Sequence, residues 1–252
     1  QEPREVIGLD SNESELFFLK QEFAEQRNVY LYVGDIRDLS SLAVRMAGID
    51  IVVHTAAYKH VSLCEASPRE TVANNVLGIQ NLIEAATSAN VARVLFTSSD
   101  KAVNPTSVMG TSKLMGERLM AAADDSRRGE CPLFICTRFG NVLGSRGSVI
   151  PLFKRQILAG GPVTLTHPET TRFIMSLDEA VRLVMGSLFI AQGGEVFVTK
   201  MRSVRIKDLA EVMIAELAPI IGRDPEQILL DVIGTRPGEK LHEELLNDEE
   251  AR

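Results

Sequence analysis

The sequence predicts an α/β protein built on a doubly wound parallel sheet, with a smaller region following it. Three observations predict this class. Short apolar runs of buried-strand type alternate with amphipathic stretches of roughly ten to fifteen residues, the pattern of repeated strand–helix–strand units. The apolar runs stop abruptly at small or polar residues, as strands do where open α/β sheets place their ligands. The chain has 252 residues, 45% hydrophobic and 24% charged, which suits one large α/β unit or a nucleotide-binding domain with a smaller partner.

Taken in order, Glu5 to Asp10 reads as a strand ending in an acid. Leu16, Phe17, Leu19 and Phe23 then follow with helical spacing. A second strand, Val29 to Val33, ends at Gly34-Asp35-Ile36. A helix over Leu39 to Ala47 leads to the apolar run Ile49 to His54, closed by the small residues Thr55-Ala56-Ala57. A helix from Asn75 to Ala89 precedes the strand Val94 to Phe96, which turns polar at Thr97. The loop through Asn104-Pro105 gives way to a helix from Ser112. Phe134 to Thr137 is the next strand.

After Val142 the character changes. Gly144-Ser145-Arg146-Gly147-Ser148 is a donor-rich loop, followed by an amphipathic helix over Val149 to Leu158 and a short strand over Val163 to Thr166. Ile174 to Ser176, a helix over Leu177 to Ala191 and a strand over Glu195 to Val198 come next. A helix over Val204 to Leu217 and a strand over Leu229 to Ile233 complete the pattern. This divides the chain into a dinucleotide-binding part, 1–137, and a mainly substrate-binding part, 138–252, of which about 190–200 returns to the main sheet.

The net charge is −7, from 34 acidic and 27 basic residues. No basic run stands out, so nucleic acid is not an expected partner. Cys64, Cys131 and Cys136 have no metal-ligand spacing, and an odd count does not make a disulfide framework. No metal is expected, and a reducing cytoplasm fits. No apolar run in these residues is long enough to span a bilayer. The chain begins with Gln1 and already approaches a strand, so an upstream segment is expected, a membrane segment among the possibilities.

Chemistry concentrates between Thr97 and Arg118. Ser98-Ser99-Asp100-Lys101 lies just past a strand, and Lys113 follows on a helix. A bland reading, a polar connection facing water, accounts for the same residues. Asp10 closes an early strand where dinucleotide folds hold the adenosine ribose, and Asp35 closes the next near an adenine edge; both residue types equally suit a helix N-cap or turn. A dinucleotide fold also needs an earlier strand and a glycine-rich turn, so that phosphate rests on backbone N–H groups. Nothing in residues 1–9 supplies that turn. Either the first strand and turn precede this sequence, or the cofactor is held poorly. Arg138, Arg146, Arg172 and Arg236 suit a diphosphate through the guanidinium fork, and equally suit a solvated surface.

With these residues in view, the chain resembles the extended short-chain dehydrogenase/reductase family, a Rossmann-like fold. Within it the likeness is to nucleotide-sugar 4,6-dehydratases of the capsular-polysaccharide type acting on UDP-N-acetylglucosamine. Its specific carriers are Ser98 to Val103, His54 to Val61 and Arg236-Pro237-Gly238-Glu239-Lys240-Leu241-His242-Glu243. The familiar Tyr four residues before a Lys is absent. Tyr30, Tyr32 and Tyr58 are followed four residues on by Gly34, Ile36 and Ser62, and Met109 stands in the tyrosine place before Lys113. A thioether carries no proton to give, and one subgroup of the dehydratases is similar in having Met there.

The resemblance implies NAD rather than NADP, since no Arg stands beside Asp10 to receive a 2′-phosphate. It places the cofactor on Asp10, Asp35, Ile36, Ala56, Ala57, Lys59, Asn75 and Lys113. It places a UDP-sugar on Arg138, Asn141, Arg146, Arg172, Arg236 and Glu239, and a homo-oligomer is expected. It makes Lys101 the base and Asp100 the acid of an elimination across sugar carbons 5 and 6, with Ser99 near the 4-oxygen and Lys113 on the nicotinamide ribose. A nucleotide-sugar 4-epimerase shares fold, cofactor and substrate class but has little use for an Asp–Lys pair. A cofactor-binding regulatory or scaffold protein is a reading of another class.

Overall fold

In the computed structural model, which describes residues 3–127, 129 and 131–252, the apolar runs pair largely as their pattern requires. The elements of the first half are β1 (Val6–Asp10), α1 (Glu13–Glu22), β2 (Val29–Val33), α2 (Leu39–Met46), β3 (Ile51–His54), α3 (Val61–Ala66), α4 (Pro68–Val72), α5 (Gly78–Ser88), β4 (Arg93–Ser99) and α6 (Val108–Ser126). Then follow β5 (Leu133–Phe139), β6 (Asn141–Val142), α7 (Val149–Leu158), β7 (Val163–Leu165), β8 (Thr171–Met175), α8 (Leu177–Ile190), β9 (Val196–Val198), β10 (Arg202–Arg205), α9 (Ile206–Leu217) and β11 (Leu230–Val232).

The main sheet runs β3-β4-β5-β9, every neighbouring pair parallel. β1 and β2 form a separate parallel pair. The single doubly wound sheet expected from the alternation is therefore hydrogen-bonded in two blocks. One core unites them: Leu9 and Ile36 from the first block pack with Leu42, Ile79, Leu82, Phe96, Met120 and Phe134. On the other face of the main sheet, Leu95 and Ile135 meet Leu188 and Ala191 of α8. Helices thus cover both faces, the condition for strands that are apolar on both sides.

The later residues build a second core, Phe153, Ile157, Val163, Leu165, Ala210, Ile214 and Ile228, between α7, α9 and the β7–β11 pair. A three-stranded sheet, β10-β8-β6, lies beside it.

Three of the differences from the pattern have a plain physical reason. β4 continues past its polar switch through Ser99, because β5 pairs with it residue by residue as far as Ser99↔Phe139. α6 starts at Val108 rather than Ser112, because the Ser107 side chain accepts from Gly110 N at 3.0 Å and caps it. Arg202–Arg205, expected to run into a helix, is a strand instead, paired antiparallel with Thr171–Ile174. Its alternation is too short and too charged to announce itself.

Candidate functional site

The site is built where β4 ends. Ladder bonds hold Ser98 and Ser99 in line, and the chain then turns through a single 3₁₀ turn, Asp100–Ala102. The Ser99 hydroxyl accepts from Lys101 N at 3.3 Å and donates to Asp100 Oδ1 at 2.9 Å. Lys101 Nζ donates to the same Oδ1 at 2.9 Å and to Asn141 Oδ1 of β6 at 3.3 Å. Asp100 is fully buried, while the Lys101 side chain keeps 20% exposure. This is an acid and an amine in direct contact, with the amine reaching solvent. The water-facing reading of Asp100 is thereby excluded.

Lys113 comes from the second turn of α6. Its Nζ donates to Thr97 O at 2.8 Å and lies 4.7 Å from the centre of the Phe96 ring. An ammonium has three donors, so two remain for another partner. Burial disfavours the charged form and brings the pKa down to about 8. His54, at the end of β3, stacks on the other reach of this cluster, its ring 5.7 Å from Phe96. Burial first and the Lys113 charge second bring the His54 pKa down to about 3, so at neutral pH the imidazole is uncharged. Met109 is buried at the start of α6.

Two glycines set the closeness of α6 to this turn. A Cβ on Gly110 would run into the Lys101 carbonyl oxygen, and one on Gly116 would come within 2.8 Å of the Phe96 ring. The C-terminal segment closes the site from outside. Lys240 Nζ donates to Val103 O at 2.7 Å, Thr106 Oγ1 to Gly238 O at 3.3 Å, and Asn104 Nδ2 to Glu244 Oε2 at 2.8 Å. Asn104 itself is left-handed, at φ 42°, a conformation that Asn tolerates through its short polar side chain.

The residues expected to hold a dinucleotide are spread along the ends of β1, β2 and β3. Asp10 caps nothing; its carboxylate accepts from Asn12 N at 2.8 Å, and Asn12 is the cap of α1. Asp35 is gripped by Arg37, whose Nε bonds both carboxylate oxygens at 2.9 Å, and this pair holds the Asp35 pKa below its usual value. Arg37 also reaches Glu70 at 3.6 Å. Ile36 packs into the main core and its carbonyl accepts from Asn81. Ala57 and Lys59 line a groove of about 520 Å³ with Tyr58, His60 and Glu70. Lys59 Nζ donates to Arg146 O at 3.0 Å.

Asn75, expected on the cofactor, makes its hydrogen bonds within the protein. It sits in a π turn, Ala73–Leu77, and both its donors are spent, on Tyr58 O at 2.9 Å and Ser112 Oγ at 3.0 Å, while its oxygen accepts from Tyr58 N at 2.8 Å. It fastens the loop after β3 to α6.

The arginines separate in the same way. Arg138, expected on the diphosphate, is 2% exposed and uses all five donors inside the protein. They go to Glu117 at 2.9 and 2.8 Å, Glu250 at 2.7 Å twice, and Leu245 O at 3.0 Å. A guanidinium with no donor left cannot bind phosphate, so Arg138 is a structural tie. Arg172 donates to Thr171 O, Leu241 O and Glu239; with that commitment it braces the C-terminal segment. Glu239 takes that bond and another from Thr166, at 2.8 Å, both on Oε1. Arg146 is exposed and paired with Glu15 of α1. Arg236 is exposed, and its guanidinium has no partner among the described residues.

The ribose-side and nicotinamide-side groups, Asp10 with an exposed carboxylate and Lys113 with donors to spare, fit a dinucleotide. Among the described residues there is no cluster of His, Cys, Asp or Glu that could hold a metal, and no helix long and apolar enough to cross a membrane. The sequence reading passed over Glu243, although it lies within the motif Arg236–Glu243; only its buried approach to Lys101, 3.6 Å away, gives it away.

Comparison with known proteins fixes the lineage. The chain is 52% identical over 248 residues to the uncharacterized membrane protein MJ1061 of Methanocaldococcus jannaschii, covering 98% of this chain and 74% of that one. It is 42% identical to the capsular polysaccharide biosynthesis protein CapD of Staphylococcus aureus, but 99% of this chain spans only 42% of CapD. It is 36% identical over 250 residues to the inverting UDP-N-acetylglucosamine 4,6-dehydratase of Campylobacter jejuni, covering 99% and 71%. A UDP-glucose 4-epimerase of Rickettsia felis is 44% identical over 220 residues, covering 87% and 62%. The X-ray structure of Pen from Bacillus thuringiensis superposes with a TM-score of 0.96 at 42% identity, over 99% of this chain and 76% of that one. Matched over residues 1–252, and folded as an extended short-chain dehydrogenase/reductase, the chain belongs to the polysaccharide biosynthesis protein family.

Proposed function

We propose that this chain carries the active site of a nucleotide-sugar 4,6-dehydratase, acting on a UDP-N-acetylhexosamine such as UDP-N-acetylglucosamine. The observation that carries the reading is the Asp100–Lys101 contact at 2.9 Å, with the acid fully buried at the end of a central strand. An elimination needs a base and an acid side by side, and a simple epimerisation at carbon 4 does not. The name of the Campylobacter relative supports the same reading.

The chemistry supplied by a bound nicotinamide is reversible hydride storage, which yields a carbon-4 ketone and acidifies the proton on carbon 5. The protein supplies the rest. Transfer of one proton from Lys101 to Asp100 along their hydrogen bond converts the ion pair into free amine and carboxylic acid, with no exchange with solvent. Lys101 then takes the carbon-5 proton. The electrons of that C–H bond form the C5–C6 double bond, the C6–O bond breaks, and the departing oxygen leaves as water with the proton of Asp100. In this reading Ser99 would hydrogen-bond the 4-oxygen, and Lys113 would hold the nicotinamide ribose.

NAD is favoured over NADP, because the Asp10 carboxylate would face the 2′-hydroxyl and Arg37 is already held by Asp35 and Glu70. Of the four arginines, Arg236 is the one whose fork stays open for the diphosphate. Residues 1–137 would serve the cofactor and 138–252 mainly the sugar.

The test is turnover of UDP-N-acetylglucosamine by the full-length protein with NAD in deuterium oxide, followed by proton NMR. A 4-keto-6-deoxy product with deuterium at carbon 5 is the expected result. Formation of the carbon-4 epimer alone would make the chain an epimerase, and NAD binding without turnover of any UDP-sugar would make it a scaffold.

A further inference from the structure

Glu243 is the one buried carboxylate near the Asp100–Lys101 turn that the chemistry above leaves unused. Its side chain is 4% exposed and its Oε1 lies 3.6 Å from Lys101 Nζ. Its Oε2 is buried and has no hydrogen-bond partner among the described residues, and the same holds for Asp100 Oδ2. Lys101 is therefore flanked by carboxylates on two sides, one from its own turn and one delivered by a segment more than a hundred residues later. The other charged groups of that segment are turned elsewhere, Lys240 to Val103 O and Glu244 to Asn104. The group facing Lys101 from β6 is the neutral Asn141.

A buried carboxylate with half its acceptors idle is costly to keep unless something requires its charge. The geometry supplies a requirement. When Lys101 takes a proton from carbon 5 it turns positive, while Asp100, giving its own proton away, turns negative only as elimination completes. A second carboxylate beside the amine, held 3.6 Å away, stabilises the ammonium from the moment it begins to form. This is the role the carboxylate, the third member, plays for the imidazole of a hydrolase triad, where it orients the base and offsets its charge without exchanging protons.

We propose that Glu243 is a positioning residue for Lys101: it aims the amine into the site and offsets the positive charge the amine acquires. This rests on the dehydratase reading, with Lys101 as base. Its consequence is that the C-terminal segment is part of the catalytic apparatus through one side chain, in addition to closing the site.

The test uses the full-length protein and the variants Glu243→Gln and Glu243→Asp. Loss of the negative charge makes the ammonium less favourable, so in Glu243→Gln the falling, alkaline limb of the pH–rate profile, where the Asp100–Lys101 pair loses its shared proton, moves to lower pH by about one unit. The kcat falls by about tenfold or more, with the Michaelis constant for UDP-N-acetylglucosamine changed less than threefold. Glu243→Asp restores part of kcat and returns the limb toward the parent's position. A residue that merely holds the fold would instead lower the melting temperature and leave the limb where it was; that outcome, or a kcat within twofold of the parent, overturns the proposal. If the parent does not turn over the sugar, the dehydratase reading fails separately. The inference is then decided by the titration of the Lys101 amine, followed by NMR of ¹⁵N-lysine-labelled protein with Lys101→Arg as the assignment control. A titration moved to lower pH in Glu243→Gln supports it and an unmoved one sinks it. Should Glu243→Gln fail to fold, Glu243→Asp carries both measurements, since it keeps the charge and withdraws it by one methylene.

Discussion

Replacing Arg138 by Met tests whether this arginine is a tie or a ligand site. The substitution nearly preserves the apolar volume of the stem and removes five donors at once. Glu117, whose side chain is 4% exposed, would lose both its charged partners from Arg138 in a single step. Glu250 is 30% exposed and can turn to water, so its share is small. Breaking a buried pair so that one charge stays behind costs about 3–5 kcal/mol. For a chain of this size each kcal/mol moves the melting temperature by about 2–4 °C, so a fall of roughly 6–20 °C follows from those two principles. The assay is thermal unfolding by circular dichroism at pH 7, alongside the double variant Arg138→Met/Glu117→Gln, which should recover more than half of the loss because no charge is left stranded. Binding of UDP-sugar to folded Arg138→Met below its melting point should be within a few-fold of the parent. A melting temperature within about 2 °C of the parent, together with a large rise in the UDP-sugar Michaelis constant, would refute the reasoning and return Arg138 to the diphosphate.

Four further outcomes follow. His54 has its pKa brought down to about 3 by burial while an unfolded histidine titrates near 6.5, so the unfolded chain binds a proton that the folded one refuses. Stability should therefore drop as pH falls from 6.5 towards 3, at up to about 1.4 kcal/mol per pH unit, and His54→Phe should flatten the denaturant midpoint between pH 6.5 and 5. Gly110→Ala should lose about 1–3 kcal/mol from overpacking against Lys101 and lower kcat, although Ala is the better helix former; a stabilised variant with parental kcat would contradict the close approach. Met109→Leu should keep turnover within a few-fold, whereas Lys101→Ala should lose about a hundred- to ten-thousandfold and put no deuterium on carbon 5. Arg236→Ala should raise the Michaelis constant for the UDP-sugar far more than it weakens NAD binding in calorimetry, and equal losses on both would point to a folding role.

The strands were legible because a buried strand writes its burial into consecutive residues, as Val94–Phe96 and Phe134–Thr137 do. The candidate turn could be picked out because its groups are neighbours in sequence, Ser99 to Lys101, with Lys113 one helix away. What depended on distant partners was not. Nothing around Arg138 announces that Glu117 and Glu250 will consume its donors, 21 and 112 residues away. An arginine at a strand end looks the same whether it faces phosphate or a buried glutamate. The partners of Asn75 were hidden for a related reason: a π turn inside a helical pattern aims one side chain off the helix periodicity. Glu243 stood in a recognised motif, yet the role proposed for it rests on a 3.6 Å approach that spacing along the chain does not encode.

The bonds that brace the catalytic turn from outside join residues 137, 140 and 132 positions apart. On a ribosome adding about 5–20 residues per second, the far wall would follow Asp100 and Lys101 out of the exit tunnel by roughly seven seconds to half a minute. During that interval the sheet can form on its local contacts, while the acid and amine stand open to water as an ordinary surface pair. Closing so long a loop is also among the slower events available to the chain, since its entropy must be lost before any of the three bonds repays it. Newly made molecules should therefore gain their folded sheet first and their competence second. Refolding followed simultaneously by circular dichroism and by turnover should show the second signal trailing the first.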